Sequence, residues 1–224
     1  MARTPKWLLS LMLPGLLAGC EGGGSTHFVG KSPMEVGYLD RLKAVNPLAV
    51  DTFPDGHLRE VQLLEAKLSE TALTAIGRAP RLEILLLGQS DLDDDGLRLL
   101  EGMSSLEILG VMRTRITDAG MKHIAKMTGL KVLILGHNAV TDVGLAELAR
   151  MPSLEKLAMT GLEVSDAGME SLTSLENLNT IEISGTRVTE RGIAALKAKF
   201  PELEVFRNFE NQGEGALLEA TPSE

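Results

Sequence analysis

One glycine recurs at a fixed step of 24 residues, at Gly96, Gly120, Gly144, Gly168 and Gly192. Each sits in a variant of one phrase: "DLDDDGLRLL", "RITDAGMKHI", "AVTDVGLAEL", "EVSDAGMESL" and "RVTERGIAAL". A unit of two dozen residues cannot enclose a core by itself. It has to bury its apolar side against the next copy, so the copies must stack. The residue supply suits a stack: 44% of the chain is hydrophobic but only 3% is aromatic, and thin identical layers are easier to build from Leu, Ile, Val and Met than from rings.

In the copy "LKVLILGHNAVTDVGLAELARM", Leu130, Leu133, Leu135, Asn138 and Val140 are spaced L-x-x-L-x-L-x-x-N-x-L. The same frame places Leu82, Leu85, Leu87 and Leu92, then Leu106, Leu109, Val111 and Ile116. It continues with Leu154, Leu157, Met159 and Val164, then Leu178, Ile181, Ile183 and Val188. Extended backward it gives Leu58, Val61, Leu63 and Leu68; extended forward it slips by one residue at "FPELEVF" and places Leu203 and Phe206. This spacing resembles the leucine-rich-repeat signature, and the "ITDAGM" half is similar to repeats found beside F-box domains and in the ribonuclease-inhibitor-like superfamily. The resemblance covers residues 58–206. It implies a protein-binding role and brings no catalytic residue with it.

The two leucines of L-x-L face one side of a short strand. Strands stacked in register form a parallel sheet, whose return path must be a crossover, here a helix. Ser69, Thr117, Thr141, Ser165 and Thr189 stand where helix N-caps belong, each followed by an acid that favours the positive end of the helix dipole. The recurrent glycine weakens a helix and is expected where a side chain would collide with the neighbouring layer. Strands sit about 4.8 Å apart and helices about 8–10 Å, so the stack curves with its sheet inside. The expected fold is α/β: a leucine-rich-repeat solenoid, a right-handed β-α stack of period 24 with a parallel concave sheet and convex helices. Ser90, Thr114, Asn138 and Thr186 can bond backbone at the asparagine position; Ala66 and Leu162 cannot, so fraying or a bound water is expected there.

The first residues read differently. "MARTPKWLLSLMLPGLLAGC" has a basic start, an apolar run and small residues, the order of a secretory signal peptide. Its end, Leu17-Ala18-Gly19-Cys20, resembles the bacterial lipobox, which implies cleavage before Cys20 and lipidation of its sulfur and α-amine. Cys20 is the only cysteine, so no intramolecular disulfide forms. Residues 1–19 are thus read as signal peptide, 20–31 as a flexible tether, 32–57 as an N-terminal cap helix and loop, 58–209 as the solenoid and 210–224 as a disordered acidic tail. With the lipobox in front, the chain looks like a bacterial leucine-rich-repeat lipoprotein. That implies a place in the cell envelope, anchored to the membrane by N-terminal lipid. Glu21 stands where an inner-membrane retention signal would have aspartate, which points to the outer membrane.

A net charge of −9 argues against nucleic acid as a partner. No nucleophile elbow, phosphate loop or zinc-ligand spacing occurs, so no catalytic residue, cofactor or metal is expected. "DLDDDG" invites calcium but lacks an EF-hand's ligand spacing.

The concave face should carry three rows. They read Glu60, Ile84, Ile108, Val132, Lys156, Thr180; Gln62, Leu86, Gly110, Ile134, Ala158, Glu182; and Leu64, Gly88, Met112, Gly136, Thr160, Ser184. Ile84, Leu86, Ile108, Met112, Val132 and Ile134 are expected to form an exposed apolar patch rimmed by Glu60, Lys156 and Glu182, where a protein or peptide partner docks. Arg113 and His137, at equivalent positions beside Gln89, form a candidate polar edge for a carboxylate. The alternative is a self-associating scaffold lipoprotein joined through a terminal strand near Leu203.

Overall fold

The structure, a computed structural model, describes residues 50–207. The signal peptide, Cys20, the tether, the cap helix expected from residue 32 and the acidic tail lie outside the described residues. Eight strands form one sheet in sequence order. They are β1 (Val50–Thr52), β2 (Leu58–Gln62), β3 (Ile84–Leu86), β4 (Ile108–Gly110), β5 (Val132–Ile134), β6 (Lys156–Ala158), β7 (Thr180–Glu182) and β8 (Glu204–Phe206). From β2 to β8 every neighbour is parallel, and each residue pairs with the one 24 later: Glu60, Ile84, Ile108, Val132, Lys156, Thr180 and Glu204 face one another in turn. The helices α1 (Glu70–Gly77), α2 (Asp94–Arg98), α3 (Asp118–Ile124), α4 (Asp142–Leu145), α5 (Asp166–Ser171) and α6 (Glu190–Lys199) make the crossovers. The fold is a leucine-rich-repeat solenoid.

Each layer inserts its apolar residues at fixed offsets. In the layer of β5 these are Leu130, Leu133, Leu135, Val140, Leu145, Leu148 and Met151, all at 0–1% exposure. The last column, Met103, Met127, Met151 and Leu175, closes each layer under the chain returning to the sheet. Methionine suits this place because its unbranched thioether adapts to an irregular gap.

The recurrent glycine has a specific cause. Asp118, first residue of α3, does not merely face its own helix dipole. Its carboxylate reaches to the next layer, where it accepts from the Thr141 N–H and hydroxyl (both 2.7 Å) and from the Gly144 N–H (3.0 Å). A Cβ on Gly144 would lie 2.4 Å from Asp118 Oδ1. The same clasp joins Asp94 to Thr117, Asp142 to Ser165 and Asp166 to Thr189, and Gly120, Gly168 and Gly192 leave the same room. The clasped hydroxyls also cap their helices: Thr141 Oγ1 accepts from the Val143 N–H at 3.3 Å. In "DLDDDG", Asp93 caps α2, Asp94 clasps Thr117 and Asp91 accepts from the Leu68 N–H.

Asn138 acts across two layers, donating to the carbonyls of Leu135 and Val111 and accepting from the Thr114 N–H. Leu162 shows no fraying: its side chain is 1% exposed and its N–H donates to the Met159 carbonyl. A large apolar side chain takes the space that the amide fills one layer earlier.

Two features of the ends differ from expectation. Residues read as the loop before the first repeat include β1, which pairs antiparallel with β2, Val50 opposite Val61. At the other end the strand register does not slip. Val205 lies opposite Ile181 and packs on the core, while Phe206 lies opposite Glu182 on the concave side. The backbone ladder keeps the 24-residue step, and strand alternation then puts Leu203 and Val205, not Phe206, inward. The extra residue is absorbed before the strand, where α6, ten residues long, is followed by the turn from Phe200 to Leu203.

Candidate binding surface

Of the three concave rows, two alternate in side-chain size and do so out of step. The second row reads Leu86, Gly110, Ile134, Ala158, and the third reads Leu64, Gly88, Met112, Gly136. Each bulky side chain therefore has small neighbours in its own row. Leu86 leans over Gly110, its Cδ2 2.8 Å from where a Cβ would stand, and the Ile134 Cδ1 approaches the same point at 3.9 Å. Gly88 is flanked likewise by Met112 and Leu64. The two glycines become the floor of a cleft of about 320 Å³, with Leu64, Leu86, Met112 and Ile134 as walls and Gln89 and Arg113 at the edge.

This corrects the expected patch. Leu86 and Ile134 are each only 4% exposed; they settle over the missing side chain of Gly110, and Ile134 also packs with Ala158, Met112 and Val132. They are walls, not outward-pointing anchors. Ile84, Ile108 and Val132 stand half-buried in the adjacent row, outside the cleft lining. The expected charged rim is also incomplete. Glu182 is 4% exposed, and its carboxylate accepts from the Thr160 hydroxyl and the Ser184 N–H. Leu64, Gly88 and Gly110 are the residues the sequence reading did not assign to the site. Leu64 is 42% exposed and, with Val143 on the helical side, one of two large hydrophobic residues exposed among the described residues. The signal for all three was the large–small alternation, which a search for large apolar residues passes over.

The polar edge has its own geometry. Glu65, Gln89, Arg113 and His137 occupy equivalent positions and have positive φ of 55°, 59°, 53° and 58°. The next two layers place Gly161 and Gly185 there, at 67° and 68°. This left-handed conformation costs a non-glycine residue about 1–2 kcal/mol. It is fixed by the sheet, since each N–H at this position donates to the carbonyl of the next layer, Gln89 to Met112 and Arg113 to Gly136. Glycine would relieve the strain, yet in four layers a polar side chain is kept. Arg113 is brought to the cleft with Leu86, Met112 and Ile134. His137 is not: its imidazole lies over Gly161, with Nδ1 2.5 Å from where a Cβ would be.

Among the described residues, a strongly paired carboxylate stands on the helical side. Glu101 accepts from Lys126 Nζ and pairs with His123 Nδ1, both at 2.8 Å. Lys126 first and His123 second hold its carboxyl down at about 2. This group lies away from the cleft and ties adjacent layers together.

Fold and surface together define a leucine-rich-repeat solenoid with an apolar cleft on its sheet face. Residues 104–161 match the leucine rich repeat family model. An internalin from Listeria monocytogenes is similar at 26% identity with a TM-score of 0.51, over 62% of this chain and 38% of its own; the chain thus spans under half of that protein. The leucine-rich-repeat ectodomain of the receptor kinase SOBIR1 from Arabidopsis thaliana aligns at 15% identity and TM-score 0.46, over 70% of this chain and 97% of its own. A pollen receptor kinase 3 aligns at 16% and 0.49, over 78% and 84%. No curated protein matches the chain.

Proposed function

We propose that this chain is a non-catalytic, lipid-anchored leucine-rich-repeat protein of the bacterial cell envelope that binds a protein or peptide partner on its concave face. The observation that carries the binding part is the cleft over Gly88 and Gly110, apolar in its walls and edged by polar side chains kept at strained positions. Strain held where glycine would serve is a mark of selection for something other than stability. The anchor rests on Leu17-Ala18-Gly19-Cys20 and on the absence of any other cysteine in the chain. Under this reading the lipid supplies location and the repeats supply a rigid surface.

Two variants test it. Cys20→Ser should move the protein from the membrane fraction to the soluble fraction; persistence in the membrane would overturn the anchor. Ile108→Asp with Met112→Glu, both at half-buried concave positions, should leave the melting temperature within a few degrees of wild type. The same pair should abolish capture of the partner that wild type retains from envelope extract. Equal capture by both proteins would remove the concave face from the account.

A further inference from the structure

We propose, resting on the concave-face reading above, that the cleft recognises an acidic–aliphatic peptide. One Leu-, Ile- or Met-sized side chain of a partner polypeptide sits over Gly88 and Gly110, and a carboxylate one or two residues away pairs with Arg113. The chemistry follows from what the cleft offers. Its floor is two glycines whose carbonyls are already used: that of Gly110 accepts from the Leu87 N–H, and that of Gly88 from the Glu65 N–H. The floor therefore offers no spare acceptor, and with walls of Leu64, Leu86, Met112 and Ile134 the cleft suits an aliphatic side chain. At about 320 Å³ the space is at the small end of the roughly 300–1,000 Å³ usual for ligand sites, enough for a few side chains of an extended segment.

The edge supplies the rest. Gln89 carries both a donor and an acceptor, the pair that complements a peptide group. Arg113 presents a planar fork that matches a carboxylate, and among the described residues no carboxylate forms an ion pair with it. Both residues are left-handed and lining. In an extended ligand successive residues advance about 3.3 Å, and Arg113 lines the same cleft as the two glycines, so the carboxylate belongs one or two positions from the anchor. Glu65, further along the same column, repels that carboxylate and so fixes the ligand's direction. The charge match is local, a cation at the cleft of a chain whose net charge is −9, so it selects by position.

Random dodecapeptides selected on the immobilised full chain test this. The expected winners carry Leu, Met or Ile with Asp or Glu within two residues. Replacing that acid by Gln, or Arg113 by Gly, should weaken binding about tenfold, and Arg113→Lys should recover part of it. Arg113→Gly suits the left-handed backbone, so its melting temperature should equal or exceed wild type, which separates lost recognition from lost folding. Winners with aliphatic residues but no acidic bias, or binding unchanged in Arg113→Gly, would overturn this inference while leaving concave binding intact. No winners, or winners unaffected by Met112→Glu, would overturn both. Displacement by decanoate as effective as by peptide would identify an acyl chain as the occupant and overturn the peptide. Binding seen only after removal of residues 210–224 would make the chain's own tail the occupant, which overturns an external partner.

Discussion

Asp118 and Gly144 are 26 residues apart in sequence and act as one device. The carboxylate satisfies three donors of the next layer, and glycine leaves room for it and for Met121 and Val140, whose Cγ and Cγ1 would each lie 2.9 Å from a Cβ. Gly144→Ala puts a methyl group against a side chain that three hydrogen bonds hold in place. The expected loss is about 2 kcal/mol, the scale of hydrogen bonds to a charged group, read as a lower urea midpoint. Asp118→Ala should lose a similar amount, and the double variant should lose less than the sum, because the collision with the carboxylate is removed while those with Met121 and Val140 remain. Additive losses would mean that the glycine serves only the packing of Met121 and Val140 and not the clasp. The equivalent Asp166 titrates below the ordinary aspartate value, chiefly through the Thr189 hydroxyl, then the Thr189 N–H. A carboxyl depressed on folding stabilises the folded state above its unfolded value of 3.8, and that contribution disappears as pH falls through the lower folded value. Wild type should therefore lose more stability between pH 5 and pH 2 than Asp166→Asn does, in urea titrations at each pH.

At the scale of elements, the parts that repeat were legible in the sequence and the parts that do not were not. The strands from β2 to β7 and the caps at Ser69, Thr117, Thr141, Ser165 and Thr189 follow from alternation and capping chemistry, which depend on near neighbours in the chain. β1 was not legible, because "VDT" has no internal period and becomes a strand only through its antiparallel partner. The fate of Phe206 was misread because leucine spacing was extended past a helix of different length, whereas ladder pairing sets the register. On the concave face the identities of the row residues were legible. Their exposure was not, since Leu86 and Ile134 are buried over glycine and alanine neighbours in the adjacent layers of the sheet, 24 residues away in the chain. The corrected register makes its own prediction. Val205→Asp should destabilise by about 2 kcal/mol or more, since it places a charge against the core. Phe206→Asp should cost clearly less. Reversed costs would restore the slipped frame.

Over the described residues the molecule is a one-dimensional stack, so the stability of this part is a sum of layers and interfaces and its recognition surface is a property of no single layer. The cleft exists because the layers of β2 to β5 present large and small residues out of step, and it lies where Leu64, Leu86, Met112 and Ile134 converge. The helical side offers a contrasting position, Val143, 72% exposed on the opposite surface. A photo-crosslinking side chain placed at Met112 and at Val143 in turn, in cells producing the full chain, tests the central claim most directly. The account predicts a discrete crosslinked partner from position 112 and none from position 143. A partner joined through position 143 but not through 112 would contradict it.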